Sequence, residues 1–272
     1  TITYYESAEN AENAENPIIT PFAYTNVTPF NQTIWVRVEN NTTNCYNTTT
    51  IELTVNELPV LIQPTPLNLC DYINTGDETE EFTLEDSIEQ VLQGQTGINI
   101  SFYETQEDAD NDTNPIFSPY TNTSNAQTIY IRGENEITGC YSTITLDLRV
   151  NPIPSPAVPQ AIEECDEDND GFTFFTVEQN EVDIINGELD IVLSYHETLT
   201  NAENGIEPII SPYYNIVPDS QIIFVRAENT ITGCFSIVEQ ELVTLPSPEL
   251  PLIIEDIIAV SYTHLRAHET LA

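Results

Sequence analysis

An internal repeat of about 95 residues constrains this chain more than any other feature of its sequence. Three arginines lie 95 and 94 residues apart, each two positions after an aromatic residue and two before a Glu-Asn pair: Arg37, Arg132 and Arg226. The cysteines keep the same step in two series, Cys45, Cys140 and Cys234 in one and Cys70 and Cys165 in the other. A unit of this length can bury a core of its own, whereas solenoid repeats have about 20–50 residues. The repeat therefore predicts tandem copies of one domain.

Clusters of proline mark the predicted domain boundaries. They lie around Pro64, Pro154 and Pro248, and proline stiffens a chain while removing a backbone donor, so these stretches indicate short, extended linkers. The predicted domains are 1–58, the C-terminal part of a truncated first repeat; 59–152 and 153–246, two complete repeats; and 247–260, the start of a fourth.

Alternation of apolar and polar residues predicts strands within each repeat. Ile129 to Glu134 and Cys140 to Val150 alternate with period two, and Gly139 between them indicates a hairpin turn. Residues 81–84, 98–103 and 116–118 add shorter strands, 87–93 suggests one or two helical turns, and the Ala/Glu/Asn-rich stretch 7–16 reads as a solvated loop. This pattern predicts an all-β fold of tandem immunoglobulin-like β-sandwich domains in a linear array.

The charge balance excludes two classes of partner. The 272 residues include 45 Asp and Glu against 5 Lys and Arg, a formal net charge of −40. A surface this acidic repels phosphate backbones and anionic lipid, so we expect no nucleic-acid binding and no membrane insertion. Hydrophobic residues still make up 40% of the chain, which favours a folded protein over an acidic disordered tail.

The two cysteine series suggest one disulfide in each repeat. The predicted bridges are Cys70–Cys140 and Cys165–Cys234, and Cys45 is then unpaired because its partner is lost to truncation. Free, buried cysteines acting as small hydrophobic residues are the alternative. Paired cysteines place the protein outside the reducing cytosol, at an extracellular location.

A run of alternate aspartates is the one candidate metal site. Asp166, Asp168 and Asp170 precede Gly171, as in the first half of a calcium loop, although Val177 stands where such a loop needs a glutamate. A solvated turn held by Asx hydrogen bonds is the alternative. No cofactor is required by any pattern in the chain, and calcium is the one candidate.

The recurring arginines have a structural and a functional interpretation. In a chain with so few cations, we expect Arg37, Arg132 and Arg226 to pair with the recurring carboxylates Glu6, Glu104 and Glu197, or to pack their stems over the aromatic ring two positions earlier. Alternatively, each arginine and the aromatic residue two positions before it form an exposed face that binds glycans.

Catalytic patterns are absent from the repeats. His196 is the one histidine before residue 261, and tyrosines occupy its counterpart positions, so it reads as a strand residue. No H-E-x-x-H, G-x-S-x-G or phosphate-binding glycine loop occurs, and we expect no enzyme within these residues.

Three segments of the third repeat resemble a known family. Residues 165–172 (CDEDNDGF), 194–198 (SYHET) and 224–235 (FVRAENTITGCF) are similar to the tandem immunoglobulin-like repeats of large Bacteroidetes surface proteins. Those proteins are often described as gliding-motility-associated and are exported by the type IX secretion system. The resemblance implies a secreted, non-catalytic region at the cell surface, an adhesin or stalk-like spacer that contacts extracellular surfaces, glycans and its neighbouring repeats. The alternative is a carbohydrate-binding accessory region of a secreted polysaccharide-degrading enzyme.

The C-terminal tail has a different origin. Residues 261–272 resemble translated sequencing-adapter read-through, and the next Cys-Asp pair expected near 259–260 is replaced by Ala259 and Val260. We therefore predict that this tail is non-native and exclude its two histidines from any site.

Overall fold

Strands dominate the computed structural model, which describes residues 1–248. The predicted fourth-repeat start and the tail lie almost entirely outside the described residues. The strands are β1 (Ile2–Tyr5), β2 (Asn31–Glu39), β3 (Tyr46–Thr54), β4 (Leu67–Cys70), β5 (Glu81–Phe82), β6 (Ile98–Tyr103), β7 (Tyr120–Thr121), β8 (Gln127–Asn135), β9 (Tyr141–Asn151), β10 (Ile162–Asp166), β11 (Phe174–Phe175), β12 (Ile191–His196), β13 (Tyr213–Tyr214), β14 (Ser220–Asn229) and β15 (Phe235–Pro246).

The helices are short. They are α1 (Ala8–Asn13), α2 (Ile88–Leu92), α3 (Gln106–Asn111), α4 (Glu181–Ile185) and α5 (Leu199–Asn204), with 3₁₀ turns at Pro21–Ala23, Leu84–Ser87 and Val177–Asn180. Among the described residues, no helix has the length and hydropathy needed to span a membrane.

The fold is all-β, with tandem immunoglobulin-like β-sandwich domains, as predicted. The second and third repeats each have a four-stranded sheet, in the orders β4-β9-β8-β6 and β10-β15-β14-β12, opposed by a two-stranded sheet, β5-β7 or β11-β13. In each larger sheet, the strand that comes first in the chain (β4 or β10) pairs in parallel with the strand that comes last (β9 or β15). The other pairs in these sheets are antiparallel. Residues 1–58 form a three-stranded sheet, β1-β2-β3.

The chain divides into two compact units, Thr1–Pro152 and a second that begins at Ile153. In the first unit, a core of fully buried side chains lies between the sheets of the second repeat, with Phe82, Leu84 and Val91 opposite Ile129 and Leu146. In the second unit, Phe175, Val177 and Ile184 oppose Ile223 and Leu242 in the same way. The domain boundaries drawn from the prolines stay predictions.

The predicted hairpin is confirmed, and its turn has a clear local cause. The Asn135 side chain accepts hydrogen bonds from the Ile137 and Thr138 N–H groups at 3.0 and 2.9 Å, and Gly139 takes a φ of +68° that favours glycine. The chain then enters β9 directly after Cys140. The other two repeats build the same turn on Asn40 and Asn229.

The acidic stretch 7–16 contains the six-residue helix α1, where its composition predicts a solvated loop. The Ser7 hydroxyl accepts a hydrogen bond from the Asn10 N–H at 3.2 Å, and Ala11 is fully buried. Thr105 and Thr198 cap α3 and α5 in the same way. Tertiary contacts stabilise this six-residue helix, because it packs against β1 and β2 and Arg37 donates to its last carbonyl oxygens.

Candidate functional site

The recurring arginine lies at the centre of a cluster of polar contacts. In the second repeat, the Arg132 guanidinium carbon lies 3.4 Å from the centroid of the Tyr141 ring. One terminal nitrogen donates to the Ala109 and Asp110 carbonyl oxygens at the end of α3, at 2.9 and 3.3 Å. The other terminal nitrogen and Nε donate to the Glu134 carboxylate at 2.6 and 3.1 Å. A cation therefore caps the negative end of the helix while an aromatic ring covers it.

The same cluster occurs in all three repeats. The equivalent sets are Arg37 with Ala11, Glu12, Glu39 and Tyr46, and Arg226 with Ala202, Glu203, Glu228 and Phe235. Each arginine is buried. Burial alone lowers the pKa of Arg132, but the hydrogen bond and charge of Glu134 outweigh it, so the pKa lies above its usual value and the group stays a cation.

The arginine partners predicted from the sequence are wrong. The ion pairs are with Glu39, Glu134 and Glu228, two positions along the same strand, and not with Glu6, Glu104 and Glu197. The stacked ring comes from the next strand across the hairpin, and not from the aromatic residue two positions earlier. The physical reason is that the helix places its carbonyl oxygens over the arginine, which orients the guanidinium towards them.

The recurring glutamates instead belong to a network that the sequence did not reveal. Glu104 accepts a hydrogen bond from the Tyr120 hydroxyl at 2.9 Å, and that hydroxyl accepts one from Gln127 Nε2 at 2.7 Å. Burial, followed by the nearby Glu104 carboxylate, raises the pKa of Tyr120. The same hydrogen-bond network occurs in the first repeat as Glu6–Tyr24–Gln32 and in the third as Glu197–Tyr213–Gln221. The sequence signals that could have revealed this network are the proline before or near each tyrosine and the glutamine that follows it.

The cysteines do not form the predicted bridges. Cys70 and Cys234 are disulfide-bonded, whereas Cys45, Cys140 and Cys165 are free thiols. Both predicted pairs, Cys70–Cys140 and Cys165–Cys234, are therefore wrong.

The sheet geometry explains this result. Cys70 lies beside Asn151, the last residue of β9, while Cys140 immediately precedes Tyr141, the first. An 11-residue strand separates them, roughly 35 Å at about 3.3 Å per residue, and a disulfide needs Cα atoms within about 7 Å. Cys165 and Cys234 lie at opposite ends of β15 in the same way.

Each repeat therefore has a cysteine position at either end of its sheet. We call the end of each sheet that holds the hairpin turn the entry end, because the chain enters the repeat there. The Pro59 and Pro154 carbonyl oxygens lie at this end and accept hydrogen bonds from the Ser142 and Ser236 hydroxyls at 2.7 and 2.6 Å. The opposite end, where β9 and β15 finish, is the exit end. Cys140 and Cys234 are entry-end cysteines, and Cys70 and Cys165 are exit-end cysteines.

The three aspartates lie together at the exit end of the third repeat. One carboxylate oxygen from each of Asp166, Asp168 and Asp170 lies within 4.8 Å of the others. The buried Asp166 accepts hydrogen bonds from the Asp168, Asn169 and Gly171 N–H groups at 3.2, 2.9 and 2.6 Å. Burial raises the pKa of Asp166, but the Gly171 hydrogen bond and its neighbours lower it overall, whereas contact with Asp166 raises the pKa of Asp168.

The backbone N–H groups provide hydrogen-bond partners for the Asp166 carboxylate without a metal. The three carboxylates are also close enough to one another to bind a metal ion. Three oxygens with this spread can share a cation at the 2.3–2.6 Å distances of calcium, and the backbone N–H groups leave one lone pair on Oδ2 of Asp166. In the second repeat, Asp71 is buried at the equivalent place, but Ile73 and Thr75 replace the other two aspartates. Calcium binding stays a prediction for the third repeat.

We expect millimolar calcium to raise the melting temperature of the third repeat by about 5–10 °C relative to chelator, because a ligand bound only to the folded state stabilises it. Calorimetry of the chain and of the Asp168→Asn/Asp170→Asn double variant measures this. The double variant keeps the Asp166 turn and serves as the matched control. Equal melting temperatures with calcium and with chelator would show that the aspartates form a turn only.

Comparison with known proteins identifies the repeat type. The sequence model described as "Flavobacterium inter-domain disulphide bond domain" matches residues 1–59, 66–154 and 161–248. No curated protein matches the chain.

The chain is also similar, at low sequence identity, to several solved structures. A three-Ig fragment of titin is 10% identical over 90% of this chain and 88% of that chain, with a TM-score of 0.30. A three-domain fragment of Drosophila N-cadherin is 14% identical over 90% and 89%, with a TM-score of 0.23. Extracellular domains 3–5 of Drosophila OTK are 14% identical over 89% and 85%, with a TM-score of 0.27.

Proposed function

Because this chain belongs to the Flavobacterium inter-domain disulphide bond domain family, we propose that it is a spacer whose consecutive repeats are joined covalently. It is the non-catalytic repeat region of a secreted cell-surface protein, and it holds a functional end away from the cell. Its disulfide runs from the exit end of one repeat to the entry end of the next, from Cys70 to Cys234.

The cysteine positions are the observation that carries this proposal. Cys70 lies at the exit end of the second repeat, next to the last strand residue before the linker. Cys234 lies at the entry end of the third repeat, in the turn beside the strand that begins at Phe235. Elimination also supports the pairing, because the other three cysteines are thiols.

The same rule accounts for the remaining cysteines. Cys165 is an exit-end cysteine, and its partner under this rule belongs to the entry end of a following repeat. Cys45 and Cys140 are entry-end cysteines, and their partners belong to the exit ends of preceding repeats. The positions of these partners fall outside residues 1–272: one repeat step after Cys234 for Cys165, and one and two steps before Cys70 for Cys140 and Cys45. Every cysteine thus has one role in a continuous series of bridges.

A bridge across each junction suits a spacer. The linkers rich in proline are already semi-rigid, and a second covalent link between the same two repeats removes most of the remaining rotation. Disulfides persist outside the reducing cytosol, which supports an extracellular location. Stiff domains in series set the reach of whatever they carry, and the acidic surface keeps them soluble and apart.

The carbohydrate-binding alternative has lost the feature that favoured it. It needed exposed arginine and aromatic faces, but the three repeat arginines are buried and their donors are bonded to helix carbonyls and glutamates. The recurring Glu, Tyr and Gln side chains also bond to one another. The polar groups that repeat along the chain thus support the fold of each repeat, which favours the spacer over a glycan-binding module or an enzyme.

Peptide mapping under non-reducing conditions tests the proposal, and we expect one cross-linked pair that contains Cys70 and Cys234. Small-angle scattering should then give a narrower distribution of dimensions for the oxidised chain than for the Cys70→Ser variant, because the variant has a single covalent link at the junction.

Cys165→Ser is the matched control, since it removes an exit-end cysteine without removing the bridge; it should scatter like the oxidised chain. A Cys70–Cys140 cross-link, or identical scattering for the oxidised chain and both variants, would reject the proposed spacer.

A further inference from the structure

The outer face of the two-stranded sheet in the third repeat has exposed aromatic side chains. Strand register places Phe174 of β11 opposite Tyr214 of β13, while their neighbours Phe175 and Tyr213 belong to the core. Phe174 is 61% exposed and Tyr214 is 45% exposed. Because successive residues of a strand face opposite sides of the sheet, the two outer rings do not contribute to the core that the inner pair fills.

A third ring extends this face. Phe172 stacks on Tyr214 with ring centroids 6.0 Å apart and an interplanar angle of 19°, and Phe174 contacts Tyr214 in a tilted arrangement at 4.8 Å. Contacts of this kind between aromatic rings hold each ring in a preferred orientation. We call Phe172, Phe174 and Tyr214 the aromatic platform.

The second repeat shows that the fold does not require the aromatic platform. Its β5-β7 pair has the same register, but Glu81 stands at the position of Phe174 and Thr121 at the position of Tyr214. Glu81 and Thr121 are also exposed, although another repeat follows the second repeat along the chain. The third repeat therefore exposes apolar rings where polar residues serve the same fold, and a cluster of such rings indicates an interaction surface.

Carboxylates border the aromatic platform. The Asp170 carboxylate accepts a hydrogen bond from the Phe172 N–H at 2.9 Å, and Asp168 and Asp166 lie in the same turn. Burial, followed by the charges of these three aspartates, raises the pKa of Tyr214. Aromatic faces beside negative charge attract a cation rather than an anion or a neutral group.

The chain itself shows which cation this combination of groups holds. Within the third repeat, the Arg226 guanidinium carbon lies 3.3 Å from the centroid of the Phe235 ring, and its Nε donates to Glu228 at 2.8 Å. A ring and a carboxylate together thus hold a guanidinium inside the repeat, since that group is planar and carries donors along its edge. The aromatic platform presents the same two kinds of group on the outside.

Charge excludes a second copy of this chain as the occupant. The chain has 5 Lys and Arg against 45 Asp and Glu, and the three repeat arginines are buried. Two such chains repel each other, whereas a basic partner is attracted.

We propose that the aromatic platform binds an arginine-rich segment of another protein. Guanidinium groups of that segment stack on the rings of Phe174 and Tyr214 and pair with the carboxylates of Asp168 and Asp170. The contact gives the third repeat a partner that the second repeat lacks. The proposal depends neither on the spacer role nor on the inter-domain disulfide.

Calorimetric titration of the full chain with a short synthetic peptide of alternating arginine and serine tests this proposal. Chelator keeps calcium off the aspartates, and about 0.15 M salt screens the long-range attraction of any cation to the acidic surface. We expect the arginine peptide to bind at least about threefold more tightly than a lysine peptide of the same design, because a guanidinium stacks on rings and pairs bidentately with carboxylates. Stacking should also move the NMR signals of the arginine δ protons upfield, a readout that needs no variant of the chain.

The matched variant, Phe174→Glu with Tyr214→Thr, gives the third repeat the residues that the second repeat has at these positions. It adds a negative charge, so attraction by charge alone predicts equal or tighter binding, whereas loss of the rings should weaken binding by about tenfold. Phe117→Ala removes an exposed ring from the second repeat and should leave the affinity unchanged.

Equal affinity for the arginine and lysine peptides, or undiminished affinity of the Phe174→Glu/Tyr214→Thr variant, would overturn the proposal. So would the absence of binding by the arginine peptide. A neutral oligosaccharide is titrated in the same way, and if it binds where the arginine peptide does not, the rings serve a glycan and the proposal is wrong.

Discussion

Replacing Arg132 by alanine is expected to destabilise the second repeat by about 3–4 kcal/mol. The guanidinium is buried, stacks on Tyr141 and donates to the carbonyl oxygens of Ala109 and Asp110. Its removal leaves a buried carbonyl unsatisfied, removes a cation–π contact and deprives Glu134 of its partner, and the loss of one member of such a buried charged cluster costs about this much.

Hydrogen-exchange mass spectrometry on peptides from residues 127–151 measures the opening free energy of this repeat separately. Arg149→Ala is the control, because Arg149 has a side chain 51% exposed and a single long contact with Asp147; we expect a change below about 0.5 kcal/mol. The third repeat should be unaffected by either variant. A loss under about 1 kcal/mol for Arg132→Ala would mean that the cluster is not what holds α3 on the sheet.

Replacing Phe82 by alanine should destabilise the same repeat by about 3–4 kcal/mol, because this ring is 1% exposed and large-to-small changes at such sites remove both apolar burial and packing. Phe117→Ala is the matched control in the same repeat, since Phe117 is 74% exposed. Both variants are measured by the same exchange experiment.

If Phe82 contributes this much, the segment that carries it is integral to the core of the second repeat. A similar, small effect of both phenylalanine variants would contradict this.

Local patterns predicted the parts of the fold that depend on near neighbours. The alternation at Ile129–Glu134, the turn at Gly139 and the short helix at 88–92 all appear in the structure, because each rests on backbone preference and on one buried face. The helix α1 was not predicted, since a six-residue segment of Ala, Glu and Asn has no pattern of its own. Its cap on Ser7 and its contact with Arg37 stabilise it.

The cysteine and arginine partners could not be read from spacing. A separation of 70 residues between Cys70 and Cys140 does not show where β4 pairs along β9, and parallel pairing at the far end of the strand puts these two cysteines about 35 Å apart. Likewise, several glutamates recur in step with Arg132, and the position of α3 selects Glu134 among them.

The sequence by itself determined that this chain is a series of similar, acidic, all-β domains, because a repeat step, a period-two alternation and a charge balance are properties of residue order. The tertiary structure alone decided which groups meet. It placed the two cysteine series at opposite ends of each complete sheet and turned the recurring arginines inward beneath a helix. Those outcomes depend on strand register and on the direction of pairing, which join residues far apart in the chain.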